Sequence, residues 1–172
     1  MMQMEHVAVG GAKAHNRCHV HTFEDAIVVD VSCRLEQEGE ERGFLMCDVD
    51  AKFFVDVVVT GKLAEHLCFI LCAAVHIECF GPADPNPIDP KTEEFNCHRV
   101  GETITFEFDI PAGTLCDEPG EADCGLVCCF AATVTSRTLC GTPGHISCVC
   151  RGPCVGVHRE PAHEQDEEDE GT

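Results

Sequence analysis

Residues 48–60 read Asp-Val-Asp-Ala-Lys-Phe-Phe-Val-Asp-Val-Val-Val-Thr. Val49, Ala51, Phe53, Val55, Val57 and Val59 fall on one side of an extended chain, and Asp48, Asp50, Lys52 and Asp56 on the other. Successive side chains of a strand point to opposite faces, so this pattern predicts a strand with one buried face. The same alternation recurs in Ala26 to Leu35, where Ile27, Val29, Val31, Cys33 and Leu35 oppose Asp30, Ser32 and Arg34. In Thr103 to Ile110 it sets Ile104, Phe106, Phe108 and Ile110 against Thr103, Thr105, Glu107 and Asp109, and Pro111-Ala112-Gly113 ends the run. Leu126 to Thr138 is rich in Val and Thr and predicts a further strand, and Ile146 to Val157 a last one, with Gly152 and Pro153 marking a bulge or an edge.

The segment Lys62 to Phe80 carries two periods. Leu63, Leu67, Leu71 and Val75 recur at helical spacing, whereas in a strand Cys68, Cys72, His76 and Glu78 would share one side and Phe69, Leu71, Val75 and Ile77 the other. The surrounding strands favour the strand reading, because a common sheet gives its backbone partners. Gly81 to Pro90 holds four prolines and reads as an exposed connection, and Cys116 to Cys124 as a second loop. Short strands joined by turn-rich loops predict a mostly β chain, an antiparallel β-sandwich of Greek-key or immunoglobulin-like arrangement. The tryptophan that marks antibody domains is missing.

Three segments follow: a flexible lead-in over 1–22, the β-sandwich over 23–159, and an acidic tail over 160–172. The tail has no apolar residue after Ala162 and is expected to be disordered. The whole chain has 172 residues, enough for one core, and no run approaches the ~20 apolar residues of a spanning helix. Eleven Lys plus Arg against 31 Asp plus Glu give a formal net charge of −20. That field repels phosphate backbones and anionic lipid, so neither nucleic acid nor membrane insertion is expected; a protein partner or self-association is.

Fifteen cysteines are the loudest chemical signal, and an odd number leaves at least one thiol free, metal-bound or shared with another molecule. Cys140, His145, Cys148, Cys150, Cys154 and His158 crowd the C-terminal region, offering the thiolate and imidazole ligands that zinc or copper takes. No Cys-x-x-Cys occurs, which counts against zinc ribbons and thioredoxin-like motifs. Disulfides, buried thiols and a soft-metal site therefore stay open for this cluster. A second group, His15, Cys18, His19 and His21, would complete a site with it if the two chain ends meet, while isolated surface histidines are the blander reading.

Cys97-His98 and Cys18-His19 place a thiol next to an imidazole, but neighbours on a strand point apart and cannot pair with each other. Asp84, Asn86 and Asp89 offer oxygens in the proline-rich loop without the alternation of a calcium loop. No phosphate loop, Gly-x-Ser-x-Gly or His-Glu-x-x-His is present. The expectation is a non-enzymatic, cysteine-rich structural or protein-binding module, crosslinked to itself or to partners, with soft-metal binding as the alternative. The residues specify no cofactor and no compartment.

Overall fold

The computed structural model describes residues 6–10, 14–19, 27–39, 43–62, 64–80, 87–116, 127–138 and 146–158. The tail over 160–172 and most of the two predicted loops lie outside them. The described residues are mostly β: strands β1 His6–Ala8, β2 Ala14–His19, β3 Val28–Glu38, β4 Phe44–Met46, β5 Ala51–Thr60, β6 Phe69–Phe80, β7 Lys91–Phe95, β8 Thr103–Ile110, β9 Val127–Thr138 and β10 Ser147–His158. Helix is confined there to single 3-10 turns at Ala64–His66 and Cys97–Arg99.

The strands form two five-stranded sheets. The first runs β1-β3-β5-β8, with β2 also pairing β3, and the second runs β4-β10-β9-β6-β7. All neighbours are antiparallel except β4, which lies parallel to β10. The alternation in β3, β5 and β8 is realised as read: Val29, Val31, Cys33, Leu35, the odd positions of β5, and Ile104, Phe106, Phe108 and Ile110 all point into one core. Phe69, Leu71, Ala73 and Val75 of β6 and Cys128, Phe130, Ala132 and Val134 of β9 face them from the other sheet. Phe53 of β5 stacks on Phe130 of β9 at 5.8 Å, so the layers meet through aromatic rings.

Lys62 to Phe80 resolves as a strand from Phe69 onward, preceded by the 3-10 turn. Positions four apart share the parity of positions two apart, so a stripe at 67, 71 and 75 serves a strand as well as a helix. Pairing to β7 on one side and β9 on the other then decides, because each backbone group finds a partner there. The break at Gly152 and Pro153 also appears where expected, as a register shift between Arg151 and Cys154. A Cβ on Gly152 would lie 3.1 Å from both the Phe130 carbonyl oxygen and Phe53 Cε1, so glycine makes room for the central aromatic pair.

Segment 1–22, read as a lead-in apart from the sheets, supplies β1 and β2, both on the free edge of β3. After β1 the chain bends at Gly10, whose φ is +83° and whose added Cβ would sit 2.5 Å from Val155 Cγ1 and 2.7 Å from Pro153 Cβ. Only glycine meets both demands. β4 and β7 were not predicted either. Each is short, lies at a sheet edge and buries a single apolar side chain, Leu45 or Phe95, too few to make an alternating pattern.

Candidate functional site: the cysteine framework

Four disulfides join described residues: Cys18–Cys148, Cys47–Cys116, Cys79–Cys128 and Cys129–Cys154. Cys68 is disulfide-bonded as well. The adjacent Cys128 and Cys129 show how a strand distributes them. Neighbouring side chains leave β9 on opposite faces, so Cys128 bridges inward to its register partner Cys79 on β6, and Cys129 bridges outward to its register partner Cys154 on β10. Cys47–Cys116 ties the turn after β4 to the chain after β8 with a Cα separation of 5.1 Å. Cys18–Cys148, at 5.8 Å, sews β2 of the first sheet to β10 of the second, and the Asn16 amide donates to the Val149 carbonyl at 2.7 Å beside it. The N-terminal and C-terminal cysteine groups therefore do meet, as a covalent bridge between the sheets.

Of the predicted metal ligands, Cys140 and His145 lie outside the described residues. The other four are not brought together. Cys148 and Cys150 point into the core, whereas beyond the bulge Cys154 and His158 point outward. Cys148 and Cys154 are spent in disulfides, and a disulfide sulfur lacks the thiolate that a soft metal needs. His158 packs edge-on against Phe44, ring centroids 4.9 Å apart. Among the described residues no group of three or more His, Cys, Asp or Glu side chains is placed to hold a metal ion. Of the N-terminal histidines, His15 is exposed with its ring nitrogen 3.2 Å from Asp30, and His21 is outside the described residues. Asp84 and Asn86 are outside them too, and Asp89 is exposed.

The free cysteines among the described residues are Cys33, Cys72, Cys97 and Cys150. Cys97 is exposed in a 3-10 turn rather than a strand, because Asn96 caps it by accepting from the His98 backbone N–H at 2.9 Å. Cys33 on β3 and Cys150 on β10 are both buried, and the Cys33 thiol donates to Cys150 Sγ at 2.9 Å across the two sheets. That hydrogen bond, then burial, then the charge a Cys150 thiolate would carry hold the Cys33 thiol far above its ordinary value. Accepting from Cys33 lowers Cys150 against the opposing effect of burial. The sequence shows both cysteines on apolar strand faces, but not that β3 and β10 oppose each other.

The two outer faces differ in charge. On the first sheet Arg34 lies over the Phe54 ring, 4.5 Å from its centroid, and binds Asp56 at 2.6 Å and Glu36. Asp56 also accepts from Thr105 at 2.7 Å, Lys52 binds Glu107, and Arg17 binds Asp30 at 2.8 Å. Arg34–Asp56, Lys52–Glu107 and Arg17–Asp30 are cross-strand ion pairs, whereas Arg34–Glu36 lies within β3 and Asp56 is itself buried. An open depression of about 480 Å³ beside β7 is lined by Ile70, Thr92, Glu93, Glu94, Asn96 and Arg99. Its guanidinium is already occupied by Glu93, Glu102 and the Glu94 carbonyl. No described helix is long and apolar enough to cross a membrane.

The fold and framework define a cysteine-rich, disulfide-stabilised module of two β-sheets. Comparison of the chain with protein-family models, with curated proteins and with solved structures finds no match.

Proposed function

We propose that this chain is a non-enzymatic binding or structural module, an immunoglobulin-like Greek-key sandwich whose disulfides equip it for an oxidising setting. The observation that carries this reading is where the bridges lie. They join strand to strand and sheet to sheet, which is the use of disulfides in secreted domains, rather than framing a cleft. The Greek-key assignment is supported by the order β1-β3-β5-β8 in one layer and β4-β10-β9-β6-β7 in the other, in which the chain changes layer after β3, β4, β5, β7 and β8.

Intact mass spectrometry of the native protein, with and without reductant before thiol alkylation, tests this together with elemental analysis for zinc and copper. The expected result is a native mass about two daltons lower per bridge, with no stoichiometric metal, and Cys97 alkylating before Cys33 or Cys150. Alkylation of all fifteen thiols without reductant would overturn it. One cysteine reacting orders of magnitude faster than the others would return catalysis to consideration, and thiols released only by a chelator would favour metal.

A further inference from the structure

The four large apolar side chains left exposed among the described residues all lie on one face. Phe80 is 56%, Val149 43%, Phe44 37% and Val127 37% exposed, and each points outward from the β4-β10-β9-β6-β7 sheet. Three of them stand in one row across four strands, since Phe80 is the register partner of Val127, Val127 of Gly156, and Gly156 of Phe44. Ala74, Ala131 and Thr133 keep the middle of the face low and flat, and His76 is tied down there by a 3.1 Å hydrogen bond to Thr133. The opposite outer face, by contrast, is covered with ion pairs.

We propose that this neutral face pairs with the same face of a second copy of the chain. The proposal rests on the binding-module reading and names its partner. Charge distribution selects a second copy. A chain of net charge −20 repels its own kind over most of its surface, but on this face the charged side chains among the described ones are few and divided by flank. Glu78 and Glu94 stand outward on the β6 and β7 side, and Arg151 and His158 on the β10 side. A two-fold axis lying in the interface along β9 brings each Arg151 over the partner's β6, where Glu78 and His76 point outward. An isologous contact of this kind satisfies both copies at once.

The area suffices as well. β6, β9 and β10 have 12 residues each, and with the short flanking strands they offer about 700 Å² per copy at ordinary strand rise and spacing. A standard stable interface buries about 800 Å² per partner, so the face is close to the size such a pairing needs.

Sedimentation equilibrium on the full, non-reduced chain carrying Cys97→Ser, which removes the one thiol exposed among the described residues, tests the pairing. The parent should dimerise, and Val149→Glu and Phe80→Glu, both at exposed positions, should weaken it at least about tenfold. Arg151→Glu and Glu78→Arg should each weaken it, and the double exchange should restore most of the loss, which no structural defect would do. A parent that stays monomeric at 100 µM, a dimer indifferent to Val149→Glu, or a double exchange that restores nothing would each overturn the proposal. If the monomer keeps its disulfides by mass, the module reading survives that failure; if its thiols alkylate freely, that reading fails too.

Discussion

Replacing Cys18 and Cys148 together by alanine should lower the unfolding free energy by about 4 kcal/mol. The bridge spans a sequence separation of 130, which on an otherwise open chain corresponds to about 5 kcal/mol of loop-closure entropy. The remaining bridges shorten that loop. Passing through Cys47–Cys116 and Cys129–Cys154, the path from Cys18 to Cys148 falls to about 50 residues, and the entropy term to about 4 kcal/mol. Removing Cys129–Cys154, with a separation of 25, should cost about 3.5 kcal/mol at most. Against a net stability of about 5–15 kcal/mol, the first loss is large. The chain has no Trp or Tyr, so the assay is guanidinium unfolding without reductant, followed by far-ultraviolet circular dichroism. A change below about 1 kcal/mol would refute the reasoning: the hydrogen-bond ladder between β2 and β3 would then hold the N-terminal strand without its covalent tie.

Gly10→Ala should destabilise by about 2–4 kcal/mol, combining a positive φ with overlap onto Val155 and Pro153, and should lower the same unfolding midpoint. Gln37 is fully buried, donating to the Met46 and Val49 carbonyls at 2.7 and 3.0 Å and accepting from the Met46 N–H at 2.9 Å. Gln37→Leu strips all three and should cost about 2–4 kcal/mol, with faster amide exchange at Met46. Burial alone would raise the Asp30 carboxyl, but hydrogen bonds from Arg17 and His15 and their charges hold it below the usual carboxylate range. A group held low in the folded state stabilises fully above its unfolded value, about pH 4, and loses that contribution as pH falls through the folded one. The stability gap between the parent and Asp30→Asn, read from denaturation midpoints, should therefore be widest near neutrality and close in acid.

The strands legible in the sequence are those whose inward side chains feed the core. Val49 to Val59 and Ile104 to Ile110 alternate because each second residue must leave water, and β6 obeys the same parity beneath its helical spacing. β4 and β7 were not legible: Lys91-Thr-Glu-Glu-Phe95 gives the core only Phe95, stacked on Phe69, and its remaining positions are exposed and paired to β6 through backbone bonds that are blind to side-chain type. β2 was hidden for a related reason, since its place depends on Gly10 turning the chain and on Cys18 reaching β10. In the C-terminal cluster the ligand types were legible but their directions were not, because one bulge at Gly152 and Pro153 separates Cys148 and Cys150 from Cys154 and His158.

By itself the sequence determined which face of each long strand is buried and that cysteine chemistry dominates, because alternation and composition are local properties of the chain. Only the tertiary structure decided that Cys18 meets Cys148, that Cys33 faces Cys150, and that Phe44, Phe80, Val127 and Val149 share one outer surface. A bridge needs Cα atoms within about 7 Å, and a surface needs strands side by side. Both distances follow from the order of strands in two sheets, which no local pattern contains.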